Sequence, residues 1–95
     1  MNKYEIVLTS AFKQELKKMK KRNKNLSKLR EVVDKLANDI ELDIKNRDHQ
    51  LITNLKFCEC RECHIEPDWL LVYRTNKIDL ILLLIETGSH SDLFK

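Results

Sequence analysis

Apolar residues recur at intervals of three and four along the first half of the chain and at intervals near two along the second. This change of period splits the sequence into a helical part and a strand-rich part. Tyr4 to Leu8 is a short β-rich run that ends in Thr9-Ser10, residues suited to capping a helix. A first helix is predicted from about Ala11 to Arg22, with Phe12, Leu16 and Met19 on one face and lysines over the rest. "NKN" at 23–25 interrupts it. Leu26, Leu29, Val33, Leu36 and Ile40 then repeat the helical spacing and predict a second helix. Two amphipathic helices joined by a short turn form an αα-hairpin with apolar stripes to lay on a sheet.

From Ile44 to Gln50 the pattern is lost, and a loop carrying Asp48-His49 is expected. Leu51–Phe57 is read as a weak strand, and Glu59–Ile65, Trp69–Arg74 and Ile78–Glu86 as stronger ones. Glu66-Pro67-Asp68 and Asn76-Lys77 supply the turns. The last strand, "IDLILLLIE", is apolar on both faces and is expected at the sheet centre. The order β-α-α-β-β-β-β describes an α+β domain, an antiparallel-rich sheet with the αα-hairpin on one face, filling residues 1–95 as a single unit.

Charge adds an asymmetry to this outline. Residues 1–35 hold eleven Lys/Arg against four Asp/Glu, while residues 36–95 hold seven against eleven. Between Lys13 and Arg30 stand nine basic residues and one acid, Glu15. A solvated helix face accounts for an isolated run of this kind. A polyanion partner, with nucleic acid as the first candidate, is the alternative. The start of the chain has no apolar segment followed by a small-residue cleavage site, and the run Leu80–Ile85 is too short to span a membrane. A cytoplasmic location with reduced thiols and no membrane partner is therefore expected.

"CRECH" at 60–64, with Cys58 just before it, has the C-x-x-C-H form of a haem attachment site and the donors of a zinc site. Strand alternation argues against both, since Cys60 and Cys63 then point to opposite faces. Cys58 and Cys60 share a face, but with one histidine they leave a tetrahedral site incomplete. No metal and no cofactor is expected. His64 is the residue of interest, together with the other two histidines, His49 and His90, each at the edge of a predicted element beside an acid or a serine.

"ECHIEPDWLLVYR" followed by a strand and "ETGSHSDLF", with the earlier "DHQL" and "YEIVLTSAFKQELKKM", resembles the YafQ branch of the RelE/ParE toxin superfamily across essentially the whole chain. One departure is visible: relatives usually have a Gly shortly after "DHxL", where this chain has Ile52-Thr53-Asn54. The resemblance implies a bacterial type II toxin of RelE-like fold, a ribosome-dependent mRNA endonuclease held inactive by a cognate antitoxin. It also implies catalytic residues His49, His64, Asp68, His90 and Phe94, with Trp69 adjacent.

Metal-free RNA cleavage by the 2′-OH needs a base and an acid, which suits imidazoles. His90 is taken as the acid and His64 or His49 as the base, with Asp68 orienting an imidazole. Phe94 either packs or stacks on a base. Lys17, Lys20, Lys21, Arg47, Lys56, Arg61 and Trp69 are the RNA-contact candidates. Of these, Trp69 is also a packing candidate, and Arg61 has the wrong strand parity for the face of His64. The expected partners are the antitoxin, ribosome-bound mRNA and ribosomal RNA, and the free chain is expected to be a monomer. A gyrase-directed ParE-like toxin and a non-catalytic RNA-binding domain are the alternatives.

Overall fold

Thr9 begins the first helix as its sequence position suggests. Its hydroxyl oxygen accepts the Phe12 amide hydrogen at 3.0 Å and its own hydrogen goes to the Ile85 carbonyl at 2.6 Å, so one side chain both caps the helix and ties it to the sheet. The computed structural model describes residues 2–51 and 60–93. Along the chain these form β1 (Glu5–Leu8), α1 (Ser10–Lys21), α2 (Leu26–Ala37), a 3₁₀ turn (Ile44–Asn46), β2 (His49–Leu51), β3 (Cys60–Glu66), β4 (Trp69–Asn76), β5 (Ile81–Gly88) and the short α3 (His90–Leu93).

The strands lie in the order β1-β5-β4-β3-β2. β1 runs parallel to β5, and every other pairing is antiparallel. Helices α1 and α2 cover one face only. Phe12, Met19, Leu29, Val32 and Val33 pack there against Cys63, Ile65, Trp69, Leu71, Tyr73, Leu82 and Leu84. Residues of opposite parity, Cys60, Leu70 and Val72, face the other way and meet Leu93 of α3 in a smaller cluster. Fully burying a large apolar side chain contributes roughly 1.5–3 kcal/mol, so the inner face carries most of the stability.

Both helices of the hairpin stop in the same way. In α1, Lys24 N–H reaches the Met19 carbonyl and Asn23 N–H the Lys20 carbonyl; in α2, Ile40 N–H reaches Lys35 and Asp39 N–H reaches Leu36. Asn23 and Asp39 take left-handed φ values of 58° and 59°. This is the Schellman arrangement, with Asn and Asp in the place glycine usually holds. The second helix therefore ends at Ala37, short of Ile40, which continues the spacing but is exposed.

Two strand expectations also change. The last strand starts at Ile81, because Asn76 Oδ1 accepts the amide hydrogens of Ile78 and Asp79 and builds a longer turn. It is an interior strand between β1 and β4, but β4 is central, and Trp69–Tyr73 are all buried. The strand expected at Leu51–Phe57 falls mostly outside the described residues. No helix among the described residues is long and apolar enough to cross a membrane.

Candidate active site

The outer face of the sheet collects the chemistry. On β3 the outward residues after Cys60 are Glu62 and His64, and register sets His49 of β2 opposite Glu62. His49 is thus a strand residue, not a loop residue as its polar surroundings suggest. One oxygen of Glu62, Oε1, lies 3.6 Å from His49 Nε2 and 3.6 Å from His64 Nε2. The carboxylate and the His64 ring are buried, while the His49 side chain is 50% exposed. At 3.6 Å these are longer than hydrogen bonds, and they become ion pairs only when the imidazoles are protonated.

Backbone carbonyls fix both rings. His64 Nδ1 is 3.2 Å from the Pro67 carbonyl and His49 Nδ1 is 2.7 Å from the Arg47 carbonyl. A carbonyl only accepts, so each Nδ1 carries the hydrogen and each neutral ring keeps its lone pair on Nε2, turned towards Glu62. The Arg47 carbonyl is aimed by a left-handed backbone, φ 46°, at the end of the 3₁₀ turn. Asn46 of that turn, itself buried, donates to the His64 carbonyl at 2.7 Å and so joins the turn to β3.

The β3–β4 turn brings in the third histidine. A register shift between His64 and Glu66 lets the turn swing Asp68 out. Asp68 Oδ1 accepts from the His90 backbone N–H at 3.1 Å and lies 2.9 Å from His90 Nδ1. The carboxylate accepts from Nδ1 and so fixes the tautomer of the neutral ring. The hydrogen bond from the His90 side chain is the main reason the Asp68 carboxyl is held below its usual range. The His64 and His90 rings stand 5.8 Å apart, tilted by 52°.

His49, His64, Asp68 and His90 therefore meet at one end of the outer face. Asp68 orients His90, not one of the candidate bases. Trp69 requires a correction as an RNA contact: it is 0% exposed in the inner core, with its indole N–H donated to Thr87 Oγ1 at 2.9 Å. Arg61 keeps the strand parity expected of it. Its parity puts it on the helix side, 3.2 Å from Asp48 Oδ1, and the register shift that could redirect it comes only after His64. Arg47 is exposed beside His49, and Lys17, Lys20 and Lys21 are exposed on α1. Phe94 and Lys56 lie outside the described residues, as does Cys58. Cys60 and Cys63 pack in the two separate clusters, on opposite faces.

Glu62 is the residue that sequence reasoning missed, although alternation from His64 would have placed it on the same face. Glu62, His64 and His90 each offer one donor atom within 4.8 Å of the others, a set that could share a cation. One carboxylate and two imidazoles suit a transition metal, which in such a place would polarise a phosphoryl oxygen.

A family model described as "Bacterial toxin of type II toxin-antitoxin system, YafQ" matches residues 4–95. The mRNA interferase toxin YafQ of Escherichia coli strain B / BL21-DE3 is 33% identical over 91 residues, covering 95% of each chain. Among solved structures, the E. coli DinJ–YafQ toxin–antitoxin complex is similar with a TM-score of 0.85 and 31% identity, covering 98% of this chain and 99% of that one. A metal-bound toxin from Helicobacter pylori is similar with a TM-score of 0.88 and 41% identity, covering 96% and 99%. With the fold, the order of motifs and the histidine end of the sheet all in place, the chain belongs to the YafQ family of type II toxin–antitoxin toxins.

Proposed function

We propose that this toxin is an mRNA interferase, an endoribonuclease that cuts mRNA on the ribosome by attack of the 2′-OH and is neutralised by a cognate antitoxin. The observation that carries the proposal is the set of three imidazoles at one end of the outer sheet face, each with Nδ1 held by a carbonyl or carboxylate oxygen.

In the proposed reaction an Nε2 lone pair takes the proton of the 2′-OH. The 2′-oxygen bonds to phosphorus, and the 5′-oxygen leaves with a proton from His90 Nε2, giving a 2′,3′-cyclic phosphate and a 5′-OH. Accessibility favours His49 as the group that meets the 2′-OH, since the His64 side chain is only 8% exposed. His64 and Glu62 then form the floor of the site. A positioned acid or base contributes about 10²–10⁴-fold. Arg47 is placed to meet a phosphate beside His49, and Phe94 keeps its proposed role of stacking on a base.

Ribosomal RNA is the proposed polyanion for Lys17, Lys20 and Lys21. These lysines are exposed on α1, whose C-terminal end reaches the His90 turn through Arg22 and Asp92. The proposed place of action is therefore the cytoplasm, where ribosomes are.

The test is expression of the wild type and His90→Ala in cells, with mapping of mRNA 5′ ends and measurement of translation. New 5′ ends from the wild type alone are expected. Translation arrest without cleavage, or equal cleavage by both proteins, would overturn the role given to His90. Gyrase poisoning with intact mRNA would favour the ParE-like alternative.

A further inference from the structure

The basic block between Lys13 and Arg30 does not all face solvent as free charge. Arg22, the residue that caps the C-terminus of α1, reaches the C-terminal turn: Nη1 is 2.8 Å from Asp92 Oδ2 and Nη2 is 3.3 Å from Asp92 Oδ1. The two contacts form a fork, the geometry that makes an arginine–carboxylate pair directional. Asp92 is already committed to the start of α3. Its Oδ2 accepts the Ser89 N–H at 2.9 Å, and its own N–H is given to Ser89 Oγ at 3.1 Å, a reciprocal capping box around the turn that carries His90.

Gly88 makes room for this. A Cβ there would stand 3.0 Å from both Asp92 Cβ and Oδ2, and φ is 157°. The Schellman end of α1 holds Arg22 in place from the other side, and Lys24, two residues on, is bonded with Lys28 to Glu66 next to the Asp68 turn.

We propose that Arg22 is a positioning residue for catalysis, which sets the reactive pose of His90 by gripping Asp92, rather than one of the RNA-binding cations of α1. The inference rests on His90 being the acid of the cleavage proposed above. Asp68 holds His90 in front, and the Ser89–Asp92 box holds its turn from behind. Asp68 is itself on an exposed turn, so the rear support limits how far the ring can wander from the leaving oxygen. Displacement of a reacting group by about 1 Å costs up to about 10²-fold in rate. An exposed ion pair adds little to stability, so the effect belongs to the rate.

The experiment is cleavage of mRNA on programmed ribosomes over a range of toxin concentrations, which separates the maximal rate from the half-saturating concentration. Arg22→Ala and Asp92→Ala are each expected to lower the maximal rate by about 10- to 100-fold with little change in half-saturation. The double variant should lose no more than the worse single one, because the two groups act as a unit. Arg22→Lys, which keeps the charge and loses the fork, should fall between. A raised half-saturating concentration with full maximal rate for Arg22→Ala would make Arg22 an RNA contact and overturn the inference, as would additive losses. His90→Ala measured alongside keeps the two levels apart. If it is active, the acid assignment fails; if it is dead while Arg22→Ala is unimpaired, only the role of Arg22 fails.

Discussion

Replacing Thr87 with valine keeps the shape of a wholly buried side chain and removes one hydroxyl. That hydroxyl accepts the Trp69 indole N–H at 2.9 Å and donates to the Leu70 carbonyl at 2.7 Å. Valine does both of these badly: the indole N–H, sealed in the core at 0% exposure, loses its acceptor, and the carbonyl loses a donor. An unsatisfied buried donor costs about 1–3 kcal/mol and a lost ordinary hydrogen bond about 0.5–1.5, so Thr87→Val should destabilise by about 2–4 kcal/mol. For a small domain each kcal/mol moves the thermal midpoint by about 4–8 °C, so a drop of about 10 °C or more is expected.

The chain has one tryptophan, so urea unfolding followed by its fluorescence reads the change at the site itself. The midpoint should fall with the slope unchanged. Trp69→Phe removes the donor, and the double variant should cost less than the sum of the singles. A loss below about 0.5 kcal/mol for Thr87→Val, or strict additivity, would show that this chain of bonds does not hold β4 to β5, and Trp69 would again be open to a role in RNA binding.

Other consequences are directly measurable. Asp68→Asn preserves shape but can turn its N–H₂ towards His90 and reverse the tautomer, so the maximal cleavage rate should fall by about 10²–10⁴-fold while binding to ribosomes is kept. Neutralising Lys17, Lys20 and Lys21 together should weaken ribosome binding and flatten its dependence on salt, leaving the maximal rate unchanged. Arg22 lowers the Asp92 carboxyl chiefly through its hydrogen bond, as His90 does for Asp68. A carboxyl lowered in the folded state contributes fully above the unfolded value near 4 and loses that contribution as pH falls towards the folded value. The thermal midpoint should therefore drop below about pH 4, and the gap between wild type and Asp92→Asn should close over the same range.

Local pattern goes a long way in this chain because the apolar periods are undisturbed. Phe12, Leu16 and Met19 fixed the buried side of α1, and Pro67 with Asp68 fixed the β3–β4 turn. Where the period continued past the end of an element, the reading overran: Ile40 keeps the helical spacing, yet Asp39 adopts a left-handed conformation and stops α2 before it. Ile78 misled in the same way, since the Asn76 side chain captures the backbone of the turn.

By itself, the sequence determined the α+β order, the sheltered face of each helix, the opposite facing of Cys60 and Cys63, and the histidines worth examining. These depend on residues close together in the chain, where alternation and helical spacing are imposed by the backbone. Only the tertiary structure decided what each charge is for. Glu62 became the shared neighbour of His49 and His64, Asp68 became the partner of His90, Trp69 went into the core, and Arg22 left the basic face for Asp92. Apart from Glu62 with His64, these pairings join residues 13 to 70 positions apart, and a charge carries no mark in the sequence of the partner that folding will bring to it.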